Sequence, residues 1–584
     1  MLKRLKSVSM MLFLMGASTG AAYAVSNPGI TDVKIAQQDG ACTGIVKDAT
    51  GETVIGASVV VKGTTNGTIT GIDGDFSLSN VKKGDVIVIS FVGYISQEIV
   101  WDGKPVNVTL KDDTQTLDEV VVVGYGTQKK VNVTGAVGMV DSKVIAARPV
   151  QNVSQALQGV IPGLNLTVGN SGGSLDGEMN INIRGTGTIG DGSGSSPLVL
   201  IDGIEGNLNT VNPNDIESVS VLKDAASASI YGARASFGVI LVTTKSGKSG
   251  KTNVNYSGNV RFNDAIGIPE LMDSYTFAQY FNRASSNRGG GDIFSPAVME
   301  RIKAYQEGTL TATTVDNGSG IWQKWANANG NTDWFGEFYD NWVPSQEHNL
   351  SISGGTEKLQ YVLSGSFLDQ KGLLRHGTDK FQRYTLNSKI TANITDWLKV
   401  TLNSKWTRED FQRPTYLTSS FFHNLARKWP VHPAYDPNGF PMDEGEIEQM
   451  ENGGEQNSQK DYYTNQLHVV IEPIKNWRIN LEGSVRTTTQ YQHWEVLPVH
   501  AYDVNGDPYY TVWDMGYGSY SAGSSRVDEY SWKENYYTTN IYSDYFKQFD
   551  NGHYFKVMAG FNAELYKNRS IEAIKNNLIS PDVP

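Results

Sequence analysis

NPNDIESVSVLKDAASASIYGARASFGVILVTTKSGKSG, residues 212–250, sets two extended runs on either side of a short helix. IESVSVLK is rich in β-branched residues, which are stiff about χ1 and pack well on a pleated surface. Asp224 then opens the helix DAASASIYGARA, its carboxylate beside the positive helix N-terminus. GVILVTTKSG follows as the second strand. The same mixed α/β pattern extends N-terminally through residues 129–247. NINIRGTG and PLVLIDG read as strands, and SQALQGVIPG as a short helix with Ser154 as N-cap and Ala156, Leu157 and Val160 on one face.

Two motifs in this module match only as strings. Gly185-x-Gly187-x-x-Gly190 follows a strand, as a dinucleotide fingerprint does, but it runs into Asp191-Gly-Ser-Gly-Ser-Ser-Pro197, which cannot start a phosphate-binding helix. Gly169-x-Ser171-x-Gly173 lacks the following helix that a hydrolase elbow needs, and no histidine precedes residue 348. All eight histidines lie at or after His348, with no His-Glu-x-x-His and no spaced metal ligands. The sequence therefore predicts no enzyme, no catalytic residue, no metal and no cofactor.

Immediately upstream lies LDEVVVVGYGTQ, residues 117–128. Val120, Val121, Val122 and Val123 favour an extended chain, bounded by Asp118 and Glu119 in front and by Gly124 and Tyr125 behind. The run is far shorter than the ~20 apolar residues a membrane-spanning helix needs, and reads as one strand available to pair at an edge.

The chain has 584 residues with a formal charge of −12, too long for one ordinary core and without a basic stripe for nucleic acid. Residues 1–24 read as a secretory signal: Lys3, Arg4 and Lys6, then the apolar Met10–Ala17, then Ala22-Tyr23-Ala24. A polar tether, 25–41, follows. Cys42 is the sole cysteine, so no intrachain disulfide exists, and it is expected half-buried on a strand.

From Cys42 to Leu110 short strands alternate with Gly and Asn-Gly turns: CTGIVKD, ASVVVKGT, GTITGIDGDFSLSN, GDVIVISFVGY, ISQEIV and PVNVTL. Their order, with GIDGDFSL and SFVGY, resembles the carboxypeptidase-regulatory-like domain, an immunoglobulin-like sandwich. Asp73 and Asp75 read as turn formers, since a calcium loop needs more oxygen ligands.

INIRGTG, PLVLIDGIEG and the opening stretch together are similar to the plug of SusC/RagA-type TonB-dependent outer-membrane transporters. The sandwich and valine strand stand before it in that family's order. The resemblance implies that Asp118, Glu119, Val120–Val123, Gly124 and Tyr125 form a TonB box. It also marks Arg184, Gly185, Asp202, Gly203, Lys223, Asp224, Tyr231, Gly232 and Arg234 as plug-motif residues. Their charges are available to pair with one another or with a barrel wall as a latch. The implied partners are TonB, a SusD-like surface lipoprotein and outer-membrane lipid. The implied cargo is a glycan or peptide.

After residue 250, segments of about ten residues alternate. In NVNYSGNVRF, Val254, Tyr256, Val260 and Phe262 share one face, and Asn253, Asn255, Asn259 and Arg261 the other, as transmembrane β-strands do. RYTLNSKITANI, WLKVTLNSKW, NWRINLEGSV and HYFKVMAGFNAEL repeat this. Trp101 alone precedes residue 250, while the other eleven of twelve tryptophans follow it, as interfacial girdles would require. Residues 284–333 and 410–460 fit extracellular loops, where Trp322, Trp325 and Trp334 would either stack on sugar or pack the loops.

The predicted fold is mainly β. It comprises the sandwich (42–111), a linker with the TonB box (112–128), a small α/β plug (129–247), and 248–584 as an incomplete transmembrane β-barrel. The last segment is too short for a 22-strand barrel, so the chain reads as the N-terminal part of a longer outer-membrane protein with a periplasmic N-terminal domain. Rival readings are a siderophore or cobalamin receptor and an exported β-sandwich adhesin.

Overall fold

A computed structural model describes residues 40–48, 51–64, 66–91, 94–111, 120–123, 126–129, 136–148, 150–168, 174–185, 196–514, 519–549 and 553–578. The signal, nearly all of the tether, Asp118, Glu119, Gly124 and Tyr125 lie outside these residues, as do the central parts of the two glycine motifs. The chain divides between residues 119 and 120 into two compact units.

The first unit holds seven strands: β1 (Gly40–Lys47), β2 (Ser58–Val61), β3 (Gly67–Ile69), β4 (Asp75–Val81), β5 (Val86–Ser90), β6 (Gln97–Val100) and β7 (Val106–Thr109). They form a three-stranded sheet, β4-β1-β7, and a four-stranded one, β3-β2-β5-β6. GTITGIDGDFSLSN thus makes two strands in different sheets, and its Gly71–Gly74 turn carries the chain between them. Alternate residues of β1 point inward, so Cys42 is fully rather than half buried, beside Val46, Phe76 and Leu78. Burial pushes its thiol pKa up. Gly44 is required where β1 meets β7, because a Cβ there would stand 1.9 Å from the Val106 carbonyl oxygen.

In the second unit β8 (Val120–Val123) does not stand alone. It pairs antiparallel with β9 (Gly126–Lys129), from Val120 opposite Lys129 to Val123 opposite Gly126, as a separate two-stranded sheet. The valine strand is extended, as its composition demands, and one of its edges is taken by the residues that follow.

The plug is built from β10 (Val137–Asp141), β11 (Leu164–Val168), β12 (Met179–Ile183), β13 (Leu198–Ile201), β14 (Ile204–Glu205), β15 (Ile216–Leu222) and β16 (Val239–Thr244). Five of them make a sheet in the order β10-β15-β16-β13-β14, and β11 pairs with β12. Ile145, Val153, Leu157 and Leu208 pack on the sheet against its own Val219 and Val242. The helix Val153–Leu157 is capped by Asn152, whose Oδ1 accepts from the Gln155 amide at 2.9 Å. Ser154, expected as the cap, lies inside the helix, where its hydroxyl donates to Asn209.

The remaining long strands form one up-and-down antiparallel sheet: β17 (Gly250–Asn263), β18 (Val343–Gly355), β19 (Leu359–Lys371), β20 (Lys380–Thr395), β21 (Leu398–Pro414), β22 (Glu455–Ile474) and β23 (Trp477–Val496). Two short hairpins follow, β24 (His500–Tyr502) with β25 (Pro508–Tyr510), and β26 (Trp513–Asp514) with β27 (Ser519–Tyr520). β28 (Arg526–Gln548) and β29 (Tyr554–Asn576) complete this nine-stranded wall. Its connections alternate between short turns (356–358, 396–397, 475–476) and longer segments (264–342, 372–379, 415–454, 497–525).

The outer face of the wall is apolar. Val254, Tyr256, Val260 and Phe262 are all exposed there, with Leu350, Leu363, Leu386, Leu402, Leu467 and Ile541 across the middle strands. Trp397 and Trp477 stand at the short turns and Trp406 and Tyr463 farther up. Nine residues separate Trp397 from Trp406. At ~3.3 Å rise and ~40° tilt they are about 23 Å apart along the wall axis, near the ~25 Å apolar band of a membrane barrel. No described helix is long and apolar enough to cross a membrane.

Candidate functional site

The plug is bonded to the inward face of the wall, and the contact between them centres on one turn. β13 and β14 are joined by Asp202-Gly203, with Ile201 opposite Ile204. Asp202 (φ 51°) and Gly203 (φ 86°) are both left-handed, the geometry a two-residue type I′ hairpin needs and Asp-Gly supplies. The turn places the Asp202 carboxylate between the end of β16 and the wall. It is held by the Thr244 amide at 3.0 Å and the Thr244 hydroxyl at 2.7 Å. From the wall it receives the Lys405 ammonium, Lys389 at 3.4 Å and the Asn403 amide at 3.1 Å, while Gln466 donates to the Asp202 carbonyl at 3.0 Å. Burial disfavours the carboxylate, but Lys405 and Lys389 outweigh it and hold its pKa well below the usual range.

Other bonds cross the same boundary. Buried Arg383 donates to the Asn209 carbonyl at 2.5 Å and the Gln151 carbonyl at 2.6 Å. Thr407 donates to the Thr210 carbonyl at 3.1 Å, Asn387 bonds Asp215, and Arg486 bonds the Glu205 carbonyl. Arg234 makes a bidentate pair with Glu564 of β29, both arms at 2.6 Å, and reaches Glu205 at 3.2 Å. Arg-carboxylate forks of this kind are stronger and more directional than single contacts.

The plug charges singled out from sequence divide three ways. Asp202 and Arg234 reach the wall. Lys223 and Asp224 bind within the plug: Lys223 donates to the Pro162 carbonyl at 2.6 Å, and Asp224 caps the helix Ala225–Ala228 through the Ser227 amide at 2.9 Å. Asp224 also accepts the Ala136 amide at 2.6 Å, which, with the Ser227 bonds, lowers its pKa to about 2. Arg184 (φ 61°) is exposed and joins no ion pair among the described residues; its amide donates to the Gly163 carbonyl at 2.7 Å. Gly185 (φ 95°) follows it, and Gly232 (φ 64°) breaks the short helical run that carries Tyr231, which packs against Leu198 and Val239. The wall partners Lys389, Lys405, Arg383 and Asn403 went unnamed in the sequence reading. Their signal was the inward parity of the strands, since each shares a face with buried Thr385, Thr391 or Thr407.

Two cavities adjoin this contact. One, about 240 Å³, lies beside the Asp202 turn, bordered by Ile201 and Glu205 of the plug and by Lys405, Lys460, Arg486 and Trp532 of the wall. The other, about 560 Å³, lies at the end of the wall that bears the longer connections, between Gln151, Gln155 and Leu175 and the residues Arg261, Asp379, Arg413 and Phe422. Burial pushes the Asp379 carboxyl up to about 6, with Arg413 opposing and Asp176 adding to the shift.

The longer connections are packed rather than loose. Trp334, Phe338, Phe421, Leu425 and Ile447 share one buried cluster. His432 is buried, stacked 4.5 Å from Trp325, with Nε2 donating to the Asp443 carbonyl at 3.0 Å; burial holds its pKa far down. Lys428 pairs with Glu446 at 2.9 Å and lies 4.7 Å from the Trp334 ring. Trp334 is fully buried and packs the connections, while Trp325 is only partly buried.

Residues 129–239 match the family model of the TonB-dependent Receptor Plug Domain, and residues 42–122 that of the CarboxypepD_reg-like domain. The chain is 37% identical to the TonB-dependent receptor SusC of Bacteroides thetaiotaomicron over 375 residues, 62% of this chain and 33% of that protein. A TonB-dependent receptor of Formosa agariphila is 33% identical over 66% of this chain and 34% of its own length. The chain thus spans about a third of these relatives. Its fold is similar to the RagAB peptide importer in the open-open state, with a TM-score of 0.62 at 24% identity over 78% of this chain and 50% of that one.

Proposed function

We infer that this chain, a SusC-like TonB-dependent receptor by its plug, its sandwich and its likeness to SusC, imports glycans or oligopeptides across an outer membrane with energy delivered by TonB. The observation that carries this is the plug held against the inner face of the wall by the Asp202 cluster and the Arg383 and Arg234 bonds. A plug bonded this way blocks free passage and needs work to move. In this reading residues 42–111 are a periplasmic sandwich, 112–128 the linker with the TonB box, 129–247 the plug, and 248–584 part of the membrane wall. The apolar outer band faces lipid. The larger cavity faces outward, under a SusD-like lipoprotein that acts as a lid. The transport step uses no catalytic residue and no cofactor.

TonB adds its own strand to Val120–Val123, each main-chain bond contributing about 1 kcal/mol net. The pull passes along the chain to Ala136, held by Asp224, and then to β10, the edge strand of the plug sheet. Peeling an edge strand breaks its bonds in sequence, so a contact of a few kcal/mol at the handle suffices. Deleting Asp118 to Tyr125 from the full-length receptor tests the coupling. Uptake of the cognate oligomer is expected to vanish while its binding at the cell surface persists; normal uptake by the deletion strain would refute the reading.

A further inference from the structure

We propose that the smaller cavity, beside the Asp202 turn, is a subsite for the carboxylate of an acidic sugar residue, and that its occupant competes with Asp202 for Lys405. This rests on the import reading above. At about 240 Å³ the cavity is below the ~300–1,000 Å³ of a site that encloses a whole ligand. It therefore takes one residue of an oligomer.

Its charges are unevenly committed. Glu534 is bound by Arg486 at 2.7 Å and by the Tyr566 hydroxyl at 2.6 Å, and Glu205 by Arg234 at 3.2 Å. Lys405 is bound to Asp202. Lys460 has no ion pair within 4.0 Å among the described residues, although Glu409 stands opposite it on the neighbouring strand and attracts it at longer range; its ammonium lies 5.2 Å from the Tyr462 ring centroid. An ammonium lining a partly enclosed space favours an anion there, because its own hydration is reduced. Tyr462 and Trp532 also line the cavity, and aromatic surface suits the apolar face of a sugar ring better than it suits a short acidic side chain. Lys460 and two aromatic rings together describe a uronate-type residue.

Lys405 belongs to both the cavity lining and the Asp202 cluster. Lys405 and Lys460 stand four residues apart along neighbouring strands, about 13 Å at the rise of a strand, and in this proposal the sugar residue lies between them, where its carboxylate draws the Lys405 ammonium from Asp202. Lys389, Asn403 and Gln466 are then the wall's remaining contacts to the turn. Cargo that binds the released arrangement better than the latched one shifts the plug toward release by that difference in affinity.

The test compares uptake of labelled trigalacturonate with that of its methyl ester by cells carrying the full-length receptor, with triglutamate and triglutamine as a peptide pair. The wild type is expected to favour trigalacturonate over its ester. Lys460→Gln should cut that ratio about tenfold, the size of one charge-assisted bond, and Lys460→Arg should restore it. A ratio unchanged by Lys460→Gln, with receptor levels equal, overturns the subsite. Preference for triglutamate alone overturns the sugar assignment. Transport of only the neutral oligomers overturns the carboxylate while leaving import intact; if no oligomer distinguishes the receptor strain from its deletion, import itself fails. In the purified receptor trigalacturonate should also speed hydrogen exchange across Ile201–Glu205, and no change there overturns the competition for Lys405.

Discussion

Asp202 holds a left-handed backbone that costs a non-glycine residue roughly 1–2 kcal/mol, and the side chain offsets this with two plug bonds and three wall contacts. Asp202→Asn keeps the turn and removes the charge, leaving Lys389 and Lys405 without their carboxylate. Removing one partner of a buried pair costs about 3 kcal/mol. Hydrogen exchange at β13 and β14 in the intact receptor should therefore quicken by about two orders of magnitude, while the sandwich is unaffected; unchanged exchange would show that the remaining bonds carry the plug. Asp379 gives a pH dependence. Its pKa of about 6 stands above the ~3.9 of an unfolded carboxyl, so its stabilisation is complete below pH ~4 and lost as pH rises through 6. Protection of the Gly372 amide, which donates to the Asp379 carbonyl at 2.8 Å, should fall between pH 4 and 6.5 relative to the intrinsic exchange rate, and Asp379→Asn should flatten that fall.

At the scale of elements, the valine strand shows what composition reveals and what it leaves out. Four β-branched residues specify an extended chain, and the strand is extended. Its self-pairing depends on Gly126–Lys129, a segment with no strand signature of its own, so the hairpin was not legible in the sequence. A partner strand must either take the other edge of β8 or displace β9. Gln128 lies opposite Val121, two positions beyond the closing Val123–Gly126 pair and so in a hydrogen-bonded pair, and Gln128→Pro should loosen the hairpin by removing an amide donor. If β9 competes with TonB, calorimetric titration with a soluble TonB C-terminal domain will show several-fold tighter binding, since one or two bonds of about 1 kcal/mol are no longer exchanged. Weaker binding would mean that the hairpin itself is the recognised form. The wall was far more legible: the dyad of NVNYSGNVRF placed Val254, Tyr256, Val260 and Phe262 outward, as found. A period-2 pattern fixes which face a residue takes, but not which inward lysine meets which plug carboxylate, because that pairing depends on docking. Asp202 was therefore readable as a candidate, and Lys389 and Lys405 were not.

For the molecule as a whole, each wall strand pairs with the next long strand in the chain, so the wall is stitched from near neighbours. The bonds between plug and wall are the reverse: Asp202 meets Lys405 and Arg234 meets Glu564 across 203 and 330 residues of sequence. Loop-closure entropy makes such distant contacts late ones. The plug sheet closes through pairings confined to residues 137–244, so it can form without any strand of the wall and serve as a mould for it. Each inward Lys, Arg or Asn that finds its plug partner fixes the register of the strand that carries it. The bonds that hold the plug to the wall are, on this account, also the template on which the wall is assembled.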